Sequence, residues 1–112
     1  MAIPIINLSI LNGDNGFQLN EGEDNHLGIS VSNAGDINGD GFDDVIANAE
    51  FKKYVVFGKA SGFDAMFDLS TLNGNNGFRI DSKTIGRSVS NAGDVNGDGF
   101  DDVIISAFES SY

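Results

Sequence analysis

One segment of this chain is written twice. Ser30-Val31-Ser32-Asn33-Ala34-Gly35-Asp36-Ile37-Asn38-Gly39-Asp40-Gly41-Phe42-Asp43-Asp44-Val45-Ile46 returns at 88–104 with a single change, Ile37 to Val95, at an offset of 58. Upstream, residues 8–17 have their counterpart at 69–78, at an offset of 61. The difference falls between Phe17 and Gly28, where Asn20-Glu21-Gly22-Glu23-Asp24-Asn25 reads as a longer surface loop. A repeat fixes the architecture before any single residue does, because each unit buries its apolar face against the next. A period near 60 is too long for a helical solenoid repeat but long enough for a four-stranded blade with generous loops.

The punctuation inside each copy is that of β structure. Phe17-Gln18-Leu19 and Phe78-Arg79-Ile80 alternate apolar and polar residues, as half-buried strands do. Gly28-Ile29-Ser30-Val31-Ser32 and Gly86-Arg87-Ser88-Val89-Ser90 are small-residue strands suited to a crowded inner edge. Asp44-Val45-Ile46-Ala47 and Asp102-Val103-Ile104-Ile105 are short buried strands, and Tyr54-Val55-Val56-Phe57-Gly58 is the strongest β-former of all. Asn12-Gly13 and Asn73-Gly74 supply turn chemistry that tolerates φ > 0. With 15 Gly and one Pro, the chain favours tight turns over helices, and 63–72 has room for one helical turn at most. Lys52 and Lys53 read as solvated turn residues.

The expected fold is therefore all-β: two four-stranded antiparallel blade repeats, the last strand of the second blade missing. Residues 1–112 form a single two-blade unit, with repeat 1 at about 7–60 and repeat 2 at about 68–112. Tyr112 stands 58 residues after Tyr54, so the second copy stops where its Val-Val-Phe-Gly strand should begin. An unpaired sheet edge is a template for another chain. Ile3 to Ile6 could fill that place, in cis or from a neighbour.

Between the repeated strands lies an acidic loop: Asp36-Ile37-Asn38-Gly39-Asp40-Gly41-Phe42-Asp43-Asp44, and again Asp94-Val95-Asn96-Gly97-Asp98-Gly99-Phe100-Asp101-Asp102. The chain carries a net charge of −11, and much of it is packed into these two loops. Like charges so close are unfavourable unless a cation sits among them. Oxygen side chains at positions 1, 3, 5 and 9, with Gly at position 6, suit a hard cation such as Ca²⁺, which takes about six to eight oxygens. The candidate ligands are Asp36, Asn38, Asp40, the Phe42 carbonyl and Asp44, and Asp94, Asn96, Asp98, the Phe100 carbonyl and Asp102, for two Ca²⁺ per chain. The chain has no Cys, and its lone His26 is remote in sequence, which argues against Zn²⁺ or Cu²⁺. An EF-hand opens the same way but needs an acid at position 12, where this chain has Ala47 and Ile105. Asp43 and Asp101 fall outside the ligand alternation and read as solvent-facing or bonded to backbone. Phe42 and Phe100 read as packing anchors between blades.

The loop, the preceding Asn-Ala-Gly-Asp, the following Asp-Val-Ile and the Val-Val-Phe-Gly strand together resemble the FG-GAP repeat of integrin α-subunit propellers and their bacterial relatives. The resemblance covers nearly the whole chain in two copies. It implies a β-propeller, usually seven-bladed, with Ca²⁺ held in the loop joining the first two strands of a blade, on the same ten residues. Two blades cannot close a ring, so a homo-oligomer is expected, with three chains giving six blades and four giving eight.

Other classes are disfavoured. A charge of −11 with no basic stripe opposes nucleic-acid binding, and no apolar run is long enough for membrane insertion. One His, no Cys and no nucleophile–base pair at a recognisable spacing argue against an enzyme. The function expected is a calcium-binding structural and interaction module; the alternative is an adhesion or carbohydrate-binding fragment with a protein or glycan ligand. The resemblance implies an extracellular or cell-surface parent, while Met1-Ala2-Ile3-Pro4-Ile5-Ile6, with no basic n-region, is not expected to be a signal peptide.

Overall fold

Hydrogen bonds link strands across the boundary between the two sequence copies. The computed structural model describes residues 7, 9, 11–13, 16–20, 30–49, 51–81 and 85–108, the last block by backbone alone at 85–87 and 107–108. Its strands are β1 (Gln18–Asn20), β2 (Ser30–Gly35), β3 (Asp44–Asn48), β4 (Lys52–Val56), β5 (Met66–Asp68), β6 (Gly77–Asp81), β7 (Ile85–Gly93) and β8 (Asp102–Phe108). No α-helix occurs among the described residues, and Leu69–Thr71 forms one 3-10 turn capped by Asp68. The Ile3 to Ile6 segment, His26 and most of the inserted loop lie outside the described residues.

One sheet has four antiparallel strands in the order β2-β3-β4-β6, so its fourth strand comes from the second copy. The β7–β8 pair is a second antiparallel sheet that repeats the β2–β3 pairing: Val31 faces Ala47, and Val89 faces Ile105. A third pair, β1 with β5, is parallel, an arrangement the alternation patterns do not announce. Both inner strands carry an irregularity at the same place, between Asn33 and Gly35 and between Asn91 and Gly93. There the Asn side chain accepts the N–H two residues on, at 2.6 Å in both copies, and turns the strand into the acidic loop.

Several boundaries differ from the sequence reading. β2 runs on to Gly35 instead of ending at Ser32, and β4 spans Lys52–Val56 instead of beginning at Tyr54. Lys52 and Lys53 are thus strand residues and not turn residues: the Ala49 N–H to Lys52 carbonyl bond closes the hairpin at 2.8 Å and pairs Lys53 with Asn48. Lys53 is buried, and its Nζ has no hydrogen-bond partner among the described residues. β4 stops before Phe57 and Gly58 because their N–H groups leave the ladder, Phe57 for the Asn76 carbonyl and Gly58 for the Asp44 carboxylate.

The four-stranded sheet is covered on both faces around β4, as the burial of that strand requires, while Val31 and Val45 near its inner edge stay exposed. Tyr54 and Val56 point to Ala49 and Leu69, with Leu19, Phe63, Phe67 and Leu72 against them. On the other face Val55 joins Ile46 and Ala34, and Val89 of β7 closes over them. The second cluster joins the two sheets, and a Val89 N–H to Ser30 Oγ bond reinforces it at the inner edge.

Candidate metal centre

Each acidic loop is wound around its first aspartate. Asp36 accepts the N–H groups of Gly39 and Asp40 on one carboxylate oxygen, at 2.8 and 3.1 Å, and that of Gly41 on the other, at 2.9 Å. Asp94 does the same with Gly97, Asp98 and Gly99, at 2.9, 3.1 and 2.9 Å. The fifth position adds a second turn: Asp40 accepts the Phe42 N–H, and Asp98 that of Phe100. The ninth closes the loop, Asp44 taking the Ile37 N–H and Asp102 the Val95 N–H, both at 2.8 Å. Such wrapping needs left-handed backbone at the fourth position, φ +74° at Gly39 and +73° at Gly97, a region that costs L side chains dearly.

The hydrogen bonds set the electrostatics. Three donated N–H groups, that of Gly41 foremost, hold the Asp36 carboxyl below the usual aspartate range, and Gly99 leads the same effect on Asp94. Asp44 goes the other way. It is fully buried, and loss of solvent raises its pKa against the bonds from Gly58 and Ile37. The charges of Asp40 and Asp36 raise it further. A buried carboxylate repelled by two neighbours is the local imbalance that a cation relieves.

The structure brings Asp36, Asp40 and Asp44 within electrostatic reach of one another, and places the Asn38 amide on Asp40, at 3.2 Å. Among the described residues no group of three or more Asp, Glu or His side chains stands in metal-holding geometry. The loop backbones are wound, while the carboxylates face the loops' own N–H groups. The donor set still fits a hard cation: it is all oxygen, and a carboxylate with two N–H partners keeps free lone pairs. The two loops differ at their last residue. Asp44 reaches across to the Gly58 N–H beyond β4, at 2.8 Å, whereas Asp102 has no such partner among the described residues and is only half-buried.

Asp101, which lies outside the ligand alternation, and Phe100, read from sequence as a packing anchor between blades, tie the loops together. Asp101 accepts the Asp36 backbone N–H at 2.8 Å and donates its own N–H to the Asp36 carbonyl at 3.0 Å. Phe100 lies over Gly39, where any Cβ would collide with its ring. The second loop therefore rests on the first. The signal for Asp101 was its place next to a ligand position, but nothing local shows that it reaches back 65 residues.

Comparison with known proteins places this geometry in a class. The FG-GAP repeat signature matches residues 27–61 and 85–109, and the chain belongs to the FG-GAP repeat family. It is 34% identical to integrin alpha-4 of Xenopus laevis over 88 residues, 73% of this chain and 8% of that protein. It is 32% identical to integrin alpha-2 of Mus musculus over 109 residues, 91% of this chain and 9% of that protein. No solved structure matches at comparable significance. FG-GAP repeats form β-propeller blades, and the β2-β3-β4-β6 sheet is one such blade. The chain spans less than a tenth of the length of either integrin. No helix among the described residues is long and apolar enough to cross a membrane.

Proposed function

We propose that this chain is a calcium-binding structural and interaction module of the integrin-like propeller type. The observation that carries the reading is the buried Asp44 carboxylate, bonded to the Ile37 and Gly58 N–H groups, in an acidic loop whose backbone winding is duplicated at 94–102. Asp36, Asn38, Asp40, the Phe42 carbonyl and Asp44 would hold one Ca²⁺, and Asp94, Asn96, Asp98, the Phe100 carbonyl and Asp102 a second. Two ions would bring the net charge from −11 to about −7. The ion supplies charge neutralisation, and because the unfolded chain has no formed site, its binding energy becomes folding energy. The role is structural in kind, with no catalytic step. An extracellular or cell-surface setting follows from kinship with integrin α chains. So does the alternative reading, an adhesion or glycan-binding fragment.

The test is calcium titration calorimetry on the wild-type chain, Asn38→Ala and Asn96→Ala. Two sites in the wild type and one weakened site in each variant support the reading. Absence of binding heat, with no change in melting temperature between calcium and chelator, sinks it. Assembly of copies into a closed ring is the second part of the proposal, and six or eight blades are the counts that two-blade units reach with three or four chains.

A further inference from the structure

The contact between the two sheets shows how one FG-GAP face receives another, and residues from both partners of that contact recur in the repeat with exposed side chains. Val89 is 4% exposed because it beds on Ala34, Ile46 and Val55, but its repeat equivalent Val31 is 67% exposed. Val31 stands at a cleft of about 370 Å³ whose apolar walls include Phe17, Leu19 and Val45. On the opposite face the relation reverses: Ile46 is 0% exposed under Val89, and its equivalent Ile104 is 61% exposed.

The loops repeat the relation. Asp101 covers the Asp36 backbone and Phe100 lies over Gly39; Asp43, the equivalent of Asp101, is exposed, and the two phenylalanines are exposed alike. Gly97, the equivalent of Gly39, has nothing among the described residues within 4 Å of where a Cβ would stand.

We infer that these two surfaces are the halves of one head-to-tail contact, and that the occupant of each is a second copy of this chain. The inference rests on reading the sheets as successive propeller blades, and it names the partner and the contact. Moving the internal contact on by one repeat sets Ile104 of one copy against Val31 and Val45 of the next. It also brings Asp43 of that next copy to the Asp94 backbone N–H and carbonyl, and Phe42 over Gly97. The contact joins two different patches, so it propagates from copy to copy, to a ring where the rotation closes and a filament where it does not. A self-complementary contact would pair one patch with itself, and neither surface resembles its own complement.

Val31→Asp disables one surface and Ile104→Asp the other; both positions are exposed, so circular dichroism of each variant should match the wild type. The measurement is solution mass by light scattering after size exclusion, over a concentration series in calcium. The wild type should exceed the 11.8 kDa of one chain. Each variant alone should remain at one-chain mass, and an equimolar mixture should give a heterodimer and nothing larger, since it offers one working copy of each surface. Wild type at one-chain mass throughout, variants that still assemble alone, or a mixture that stays monomeric while the wild type assembles would each overturn the inference. If either aspartate unfolds its sheet, Asp43→Arg on the exposed loop replaces it, with the same loss of mass expected and retention of wild-type mass contradicting it. Calcium binding is measured separately on the Val31→Asp/Ile104→Asp double variant, where it is independent of assembly.

Discussion

Asp101 accepts the backbone N–H of Asp36 at 2.8 Å and returns its own N–H to the Asp36 carbonyl at 3.0 Å, so the second acidic loop grips the first residue of the first. The gripped residue is the one whose carboxylate organises the loop. Interblade packing and loop conformation therefore share one residue.

Asp101→Ala removes a charge-assisted acceptor from a part-buried N–H while the backbone bond from 101 remains. It should cost about 1.5–3 kcal/mol in urea unfolding. Asp43→Ala, at the exposed equivalent position, should stay within about 0.5 kcal/mol of the parent when both are measured in the Val31→Asp background. Equal losses would show that Asp101 acts through loop structure alone.

Gly39 and Gly97 share nearly the same φ, but only Gly39 lies under an aromatic ring. Gly97→Ala should cost about 1–2 kcal/mol for left-handed backbone. Gly39→Ala should cost more, because the ring of Phe100 must also move. The difference between the two, read by chemical denaturation, measures the contact of Phe100 with the first blade.

Asp36→Ala mixes two effects, since the side chain holds three N–H groups besides serving as a candidate ligand. Asn38→Ala separates them. Among the described residues the Asn38 side chain bonds only to the exposed Asp40, so stability in chelator should change by less than about 0.5 kcal/mol. Its loss should appear in calcium affinity, read by calorimetry.

The raised pKa of Asp44 gives a signed pH dependence. A carboxyl whose folded pKa lies above its unfolded value contributes stability at low pH and loses it as pH rises through the folded value. In chelator, the melting temperature of wild type minus that of Asp44→Asn should therefore rise as pH is lowered from neutral. Asp36 and Asp94, whose values are lowered, act oppositely and favour folding at neutral pH, with loss in acid. Calcium affinity at the first loop should weaken on acidification before an ordinary aspartate would protonate.

Lys53 carries a buried ammonium with no hydrogen-bond partner among the described residues. Lys53→Met keeps the methylenes and removes the charge, and should raise stability by about 1 kcal/mol or more. A comparable loss in thermal unfolding would mean that the ammonium is paired in solution.

The blade was legible because it is written twice. Strand–loop–strand order, the Asn-Gly turns and the ligand alternation are local patterns, and the structure places β2, β3, β7 and β8 around the loops they frame. What escaped was non-local. Met66-Phe67-Asp68 becomes a strand only by lying parallel to β1. Lys53 is buried because the hairpin at Ala49 starts β4 early and the pleat then turns residue 53 to the same face as Val55. Asp101 was set aside because the ligand alternation skips it, while its partner is set by how the blades dock. Whether the carboxylates gather around an ion depends on a species that sequence names only by its ligands.

Calorimetric titration of the chain with calcium, paired with melting curves in calcium and in chelator, tests the central claim most directly. Two bound ions per chain and a melting temperature that climbs with calcium concentration are expected. No heat of binding, together with superimposable melting curves in calcium and chelator, would contradict it.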